Sequence, residues 1–577
     1  MKDWKDQLRD IKRTLWEADT SEKRADKPPK VDFVPPESWL RGDSTEQRPR
    51  PNGTSTGSRS ANLAPTASVT RSSDPIPSKG VTSTQPSPSR TLTRTSAPQP
   101  RSAPAGRRPE RPPVVPTPAA SAPTFRPRID ASQRLSMPDW AGVGKALQHP
   151  EARGGTPLLV RLGIDFGTAF TKVALRAGPD LVTVDWSTVT GDDSPAGRWI
   201  VPGFVCRGSD GEFGWRRFED GEWQGNLKLP LVESPPSASC PYSALAYLAE
   251  VIRYSRAFLY RHPEVGRKLA NRSLRWELNL GCPTEPHENS EIVERFTHVA
   301  RTAWWLAGRD DLDEAAIRAA WERRDLEAGL ETQPGVVPEF VAQIAGYLKS
   351  PQVTEGLHAL VDVGAATLDV ATFNVVLPKQ SSVPRIPIFF SAIKQLGTHF
   401  LSHERHARLG LELVWNDATP IETAAEFGHR HGKDVTDVDV IDAEFANGVA
   451  SCIAGVINGT RTSPRGDPRS AAWREGLLVF VTGGGSACEI YGRAIKKSET
   501  KLKGWIRSNG RFRFIEMDLV PATSTDVDPA AAARLTVAIG LTEDAEDIAR
   551  IVPHCDIEPI TRTASAPRPD RDELYPK

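Results

Sequence analysis

The sequence predicts an α/β fold of two similar lobes around one ligand cleft. Three observations carry this. β-type apolar runs alternate with helical runs from about residue 156 to residue 560. Two of the β-type runs, ending at Asp165 and Asp362, break into small-residue turns that lead straight into a second strand. A third run, Phe480–Thr482, breaks into Gly483, Gly484, Gly485 and Ser486. A dinucleotide-binding or Walker unit passes from strand through glycine turn to helix. Here the turn passes to another strand, so each is a hairpin whose tip meets the ligand, and its occurrence twice implies two similar lobes.

Along the 577 residues, the first 40 form a segment of their own. Trp4, Leu8, Ile11 and Leu15 share one helical face, opposite charged residues. The run is too short for an independent helix, which leaves a frayed surface helix or a docking peptide that folds on a protein partner. Val31–Leu40 is a second apolar cluster that would serve as a linear motif.

Residues 41–155 are expected to be a disordered linker, rich in Pro, Ser, Thr, Arg and Gly up to about Arg128 and too poor in apolar groups to offset the entropy of ordering. A short helix is expected within it, around Trp140 to Leu147. The linker's basic charge suits nucleic acid or an acidic surface. It has no interleaved aromatic residues to stack bases, so a solvated spacer is the preferred reading. Gly142-Val-Gly-Lys145 imitates the end of a Walker loop, but Ala146 stands where Ser or Thr is required. The linker's excess of Arg is balanced elsewhere, since formal net charge is zero.

The six cysteines show no C-x-x-C pair, which argues against a zinc site or a disulfide framework. The N-terminus lacks the apolar core of a signal peptide, and no apolar run reads as a bilayer span. The expected location is the cytoplasm, without a membrane partner.

The folded region divides into expected lobes at 156–348 and 349–560, followed by a polar tail at 561–577. Expected strands are Leu158–Ile164, Val173–Leu175, Leu181–Val184, Ala359–Val363, Val370–Val376 and Leu477–Thr482. Expected helices are Ser243–Tyr260, Ser290–Leu306, Glu339–Leu348, Ile441–Asn458 and Ala487–Lys496. Small residues at the turns let backbone N–H groups approach phosphate oxygens closely. Asp at the strand ends supplies the hard oxygen that holds hydrated magnesium.

With these motifs in this order, residues 158 to 545 resemble the superfamily of actin, sugar kinases and DnaK-type (70-kDa heat-shock) chaperones, and are most similar to the chaperone ATPase domain. The resemblance implies a two-lobed actin-like ATPase of duplicated ribonuclease H-like domains, with ATP/ADP and Mg2+ as ligands. Gly163-Ile-Asp-Phe-Gly-Thr168 is similar to the family's first phosphate loop, which implies that Asp165 orders magnesium-bound water and that Gly167, Thr168 and Ala169 line the phosphates. Lys172, just beyond, is expected to be structural. Asn226-Leu-Lys228 sits where the family places its catalytic lysine. Pro338-Glu339 with Tyr347 resembles the start of the connecting helix, which implies that Glu339 reaches magnesium through water.

Asp362-Val-Gly364-Ala365-Ala366-Thr367-Leu-Asp369 resembles the second phosphate loop. By that match Asp362 holds magnesium-bound or attacking water, Thr367 faces the γ-phosphate and Asp369 is a further catalytic carboxylate. Gly483, Gly484, Gly485 and Ser486 resemble the adenosine loop, and Asp528–Gly540 the closing helix. The chain departs from the family at Ala169, where a hydroxyl is usual, at Ala365 and Ala366, which replace glycines, and at Cys488, where an Arg is common. It also leaves no room for a peptide-binding domain after the closing helix.

The function this implies is an ATP-binding, slowly hydrolysing, chaperone-like switch acting on a protein partner. The alternatives are an actin-like assembly or scaffold protein and a nucleotide-binding pseudo-ATPase. A small-molecule kinase ranks below these, because no acceptor-binding signature is present.

Overall fold

A computed structural model describes residues 128–129, 135–148, 156–195, 197–232, 239–269, 272–283, 289–323, 326, 329–378, 383–415, 421–506, 511–515 and 529–560. The expectations for residues 1–40, for the linker up to residue 127 and for the 561–577 tail lie outside these residues.

The described chain is mixed α/β, built on two six-stranded sheets. In the first sheet, β1 (Leu158–Phe166), β2 (Phe170–Ala177) and β3 (Asp180–Thr183) form an antiparallel meander. β4 (Leu274–Cys282) then adds parallel to β1, and β5 (Gly335–Pro338) parallel to β4. The short strand Val201–Pro202 pairs with the end of β2. In the second sheet, β6 (Gly356–Val363), β7 (Leu368–Val375) and β8 (Arg385–Lys394) form the meander. β9 (Leu477–Thr482) adds parallel to β6, and β10 (Phe512–Ile515) parallel to β9. The orders β5-β4-β1-β2-β3 and β10-β9-β6-β7-β8 therefore match strand for strand in position and direction. The second sheet carries one extra edge strand, β11 (Arg550–Val552), beside β8.

Strand alternation decides which residues face inward. In β1, Val160, Leu162, Ile164 and Phe166 pack outward under α1 (Tyr242–Arg261) and α2 (Ser290–Leu306). In β6, Leu357, Ala359, Val361 and Val363 pack outward under α6 (Val435–Thr462) and α7 (Glu489–Ile506), which follow α4 (Thr398–Leu409) and α5 (Ala424–His431). Opposite faces of both sheets look into one middle layer, occupied by α3 (Glu339–Leu348) and α8 (Pro529–Gly540).

The middle pair is crossed. α3 follows the last strand of the first sheet but packs on the second: the rings of Phe340 and Phe373 lie 5.4 Å apart, and those of Tyr347 and Phe480 4.9 Å apart. α8 follows β10 of the second sheet and packs back on β1 and β2. There the Asn279 amide donates to the Leu541 carbonyl at 2.8 Å. The helices approach so closely that a Cβ on Gly540 would fall 1.9 Å from the Ala342 carbonyl oxygen, and only glycine fits there.

The expected strands and helices coincide with observed ones, generally extended by a turn or a residue pair at the ends. One boundary is corrected. Residues 135–148, placed within the linker with a short helix expected around Trp140 to Leu147, belong to the fold as two short 3₁₀ helices, Asp139–Gly144 and Ala146–Gln148. Leu135 and Ala141 are buried, Arg261 lies 4.6 Å over the Trp140 ring, and the Ser136 and Met137 amides donate to Val189 and Trp215 carbonyls. A few apolar groups in a polar stretch suffice when a ready-made surface receives them. Of the described helices, α6 is long and apolar enough to cross a membrane, and 56% of its apolar window is buried within the fold.

His358 anchors α3 to the second sheet. Its Nε2 lies 2.9 Å from the Tyr347 hydroxyl and its Nδ1 2.8 Å from the Gly356 carbonyl, with Phe373 and Phe480 stacked on either side. Burial pushes its pKa down to about 4. Because the folded value lies below the unfolded one, the neutral ring favours the fold at neutral pH, and this contribution is lost as pH falls from about 6.5 towards 4. The loss is expected to reach roughly 3 kcal/mol. Urea unfolding at pH 7 and pH 4 measures it, and His358→Phe should flatten this part of the pH dependence.

Candidate functional site

Towards the ends of their first strands both sheets present an inward-facing acid. Arg161, Gly163 and Asp165 alternate inward on β1, and His358, Leu360 and Asp362 on β6. In the β1–β2 hairpin Asp165 is the cross-strand partner of Lys172, and in the β6–β7 hairpin Asp362 is the partner of Asp369. The two hairpins thus have the same length and register, with a lysine in one where the other has an aspartate.

Lys172 Nζ lies 2.9 Å from Asp165 Oδ2, within the hairpin. Lys228 Nζ lies 2.5 Å from Glu339 Oε1, at the first turn of α3, and both side chains are largely buried. Burial alone would lower the Lys228 pKa, but the adjoining Glu339, with Asp165 and Asp369 beyond it, raises it instead. Lys228 is therefore a buried, charged group, not a surface lysine. Burial, reinforced by Glu339 and Asp165 and partly offset by Lys172 and Lys228, pushes Asp362 up to about 6. Its Oδ1 is sealed from solvent with no donor within reach. Asp165, Lys228, Glu339, Asp362 and Asp369 are therefore one electrostatic cluster, with Lys172 as an added member that its position on β2 did not reveal.

A small cleft, with room for about one water molecule, lies between α3 and the inner face of the second sheet, lined by Glu339, Phe340, Gln343, Asp362, Asp369, Ser391 and neighbouring apolar residues. Among the described residues no group of three or more His, Cys, Asp and Glu is arranged to hold a metal ion.

The turns are built differently. In the first, Gly167 donates to the Asp165 carbonyl, and Gly203, just past the Val201–Pro202 strand, donates to the Ala169 carbonyl at 2.7 Å. In the second, Gly364 donates to the Thr367 carbonyl. The carbonyls of Gly364, Ala365 and Ala366 accept from Thr398, His399 and Gly397 at the start of α4. A trans peptide points its N–H opposite its C=O, so the amides of Ala365, Ala366 and Thr367 point away from α4. Asn226 is the one described non-glycine residue with positive φ, so Ala365 and Ala366 stand without backbone strain.

The Gly483–Ser486 turn packs on this second hairpin, with the Gly485 amide on the Val363 carbonyl at 2.9 Å. Gly483 has φ +85°, and a Cβ there would meet Asp362 Oδ1 at 2.1 Å. Gly484 is open to solvent. The Ser486 hydroxyl donates to the Gly483 carbonyl at 2.7 Å, which commits it to the turn. Tyr347, whose spacing from Glu339 was noted, is a core residue. Sequence reasoning passed over Gln343, although its place one helical turn after Glu339 could have drawn attention to it.

No known family model matches this chain, and no curated protein matches it.

Two stability effects follow. Gly483→Ala is strained by its φ and collides with Asp362, and should destabilise by about 2 kcal/mol or more in chemical denaturation. Asp362→Asn should do the opposite in the ligand-free protein. The folded pKa lies above the unfolded one, so ionisation opposes folding and its cost is complete above about pH 6. Removing the charge is expected to gain about 2 to 3 kcal/mol at pH 7 and little at pH 4.

Proposed function

We propose that this chain is an ATP-binding, slowly hydrolysing molecular switch of the actin, sugar kinase and DnaK superfamily, acting in the cytoplasm on a protein partner. The observation that carries the reading is the pair of matched hairpins: two sheets of the same strand order, each ending its inner strand in an aspartate, with Asp165 and Asp362 in electrostatic contact. A duplicated fold of this kind suits a ligand gripped from both sides. The cluster holds four carboxylates against two lysines, and Asp362 Oδ1 is buried without a donor. Such a donor set fits a hydrated divalent cation, with Asp165, Glu339 and Asp362 holding it through water. Bound magnesium would neutralise charge on the triphosphate oxygens.

The remaining chemistry belongs to the chain. Amides of Ala365, Ala366 and Thr367, directed away from α4, would donate to phosphate, and Gly167 and Thr168 would supply the second turn. Gly483, Gly484 and Gly485 leave an open backbone surface for the nucleoside. Lys228, oriented by Glu339, places an ammonium where charge develops on the transferred phosphoryl group. Water attacks phosphorus in line and ADP leaves, a reaction of positioning and electrostatics. Contacts from both hairpins to the γ-phosphate favour closure and are released on hydrolysis. The N-terminal arm, with apolar clusters at 1–16 and 31–40, is the element proposed to dock the protein partner.

Calorimetry with ATP, ADP and GTP, with and without magnesium, followed by phosphate release, tests this. Magnesium-dependent ATP binding with slow turnover is expected, and Asp165→Ala or Asp362→Ala should lower turnover by about a hundredfold or more. Wild-type turnover in both variants would falsify the assignment. Binding without any phosphate release would leave a pseudo-ATPase, and pelleting in only one nucleotide state would identify an assembly protein.

A further inference from the structure

One side chain in the cleft has no explanation in packing. Gln343 is 3% exposed and lines the cleft, and its Oε1 is sealed from solvent with no donor. It sits one turn beyond Glu339, so it projects from the same side of α3. A buried amide oxygen left unsatisfied is a standing cost, and native structures normally supply it with a donor, often an internal water. The cleft is polar where Gln343 meets it, since Asp362, Asp369 and Ser391 share its lining, while Ala371 adds little bulk. A neutral acceptor beside carboxylates calls for a small molecule with two hydrogens to give.

We propose that Gln343 is a positioning residue that anchors a water at the inner end of the cleft, this water donating one hydrogen to Gln343 Oε1 and the other to the Asp362–Asp369 carboxylate pair. The pair is thereby held in one orientation from behind, and its outward oxygens are aimed consistently at the reacting centre. Only this kinetic consequence rests on the hydrolytic function proposed above. The water site itself does not.

Gln343→Met removes the amide at nearly constant volume. The ligand-free variant is expected to melt a few degrees below wild type, because a bonded water is lost along with the amide. Turnover at saturating ATP should fall about tenfold, with nucleotide affinity within about twofold of wild type. Gln343→Asn, which keeps an amide oxygen for the water to bridge, should recover much of the turnover. A higher melting temperature in Gln343→Met would overturn the proposal, since that is how an apolar isostere behaves when it replaces an orphaned polar group. Unchanged turnover in an active protein would overturn it as well. If the wild-type chain binds nucleotide without turnover, the hydrolytic function fails and the melting temperature alone decides the water site.

Discussion

The close crossing of α3 and α8 is the constraint on which the rest of the structure depends. Each helix completes one sheet and packs on the other, so a single layer serves as core for both. The sheets cannot part without exposing that layer. The approach is set at Gly540 against Ala342, where no side chain fits. The layer fills with apolar groups over most of its length, and charge sits away from its middle: Arg161 and Arg176 pair with Glu277 and Glu543 in one place, and Asp165, Asp362, Asp369 and Glu339 collect with Lys228 in another.

That placement carries an electrostatic consequence. Two lysines, each held by one carboxylate, leave the cluster short of positive charge. The matched hairpins are not equivalent in this respect. Lys172 balances Asp165 within the first, whereas in the second the residue opposite Asp362 is another carboxylate, Asp369. Buried like charges persist in a fold only where something else repays them. This imbalance is concentrated at one end of the middle layer. The Gly483 turn, seated against Asp362, ties a third segment of chain to the same place.

Much of this was legible in the sequence because it is local. Hydrophobic periodicity located the principal strands and helices, and the small-residue turns located both hairpins. Asp165 and Asp362 stand out as acids at the ends of apolar runs, whereas Glu339 and Asp369 were singled out through the family resemblance. Other features were hidden for identifiable reasons. Lys228 was singled out by the family resemblance, but its burial and its pairing with Glu339, far along the chain, were not legible. Lys172 looks like strand decoration until its register against Asp165 is known. Gln343 is one polar residue in an apolar helix, and its meaning depends on the sheet face beneath. In the 135–148 segment a short helix was legible around Trp140, but not its place in the fold, which depends on the surface that α1 offers it.

By itself, then, the amino-acid order determined the element types, the two hairpins with their terminal acids, and the glycine turn, since each depends on residues a few positions apart. The tertiary structure alone decided that the helices cross between sheets, that the two strand orders coincide, and that Lys228, Glu339 and Asp362 share one desolvated environment. Those outcomes depend on contacts between residues distant in the chain, whose energies arise only once water has been excluded from between them.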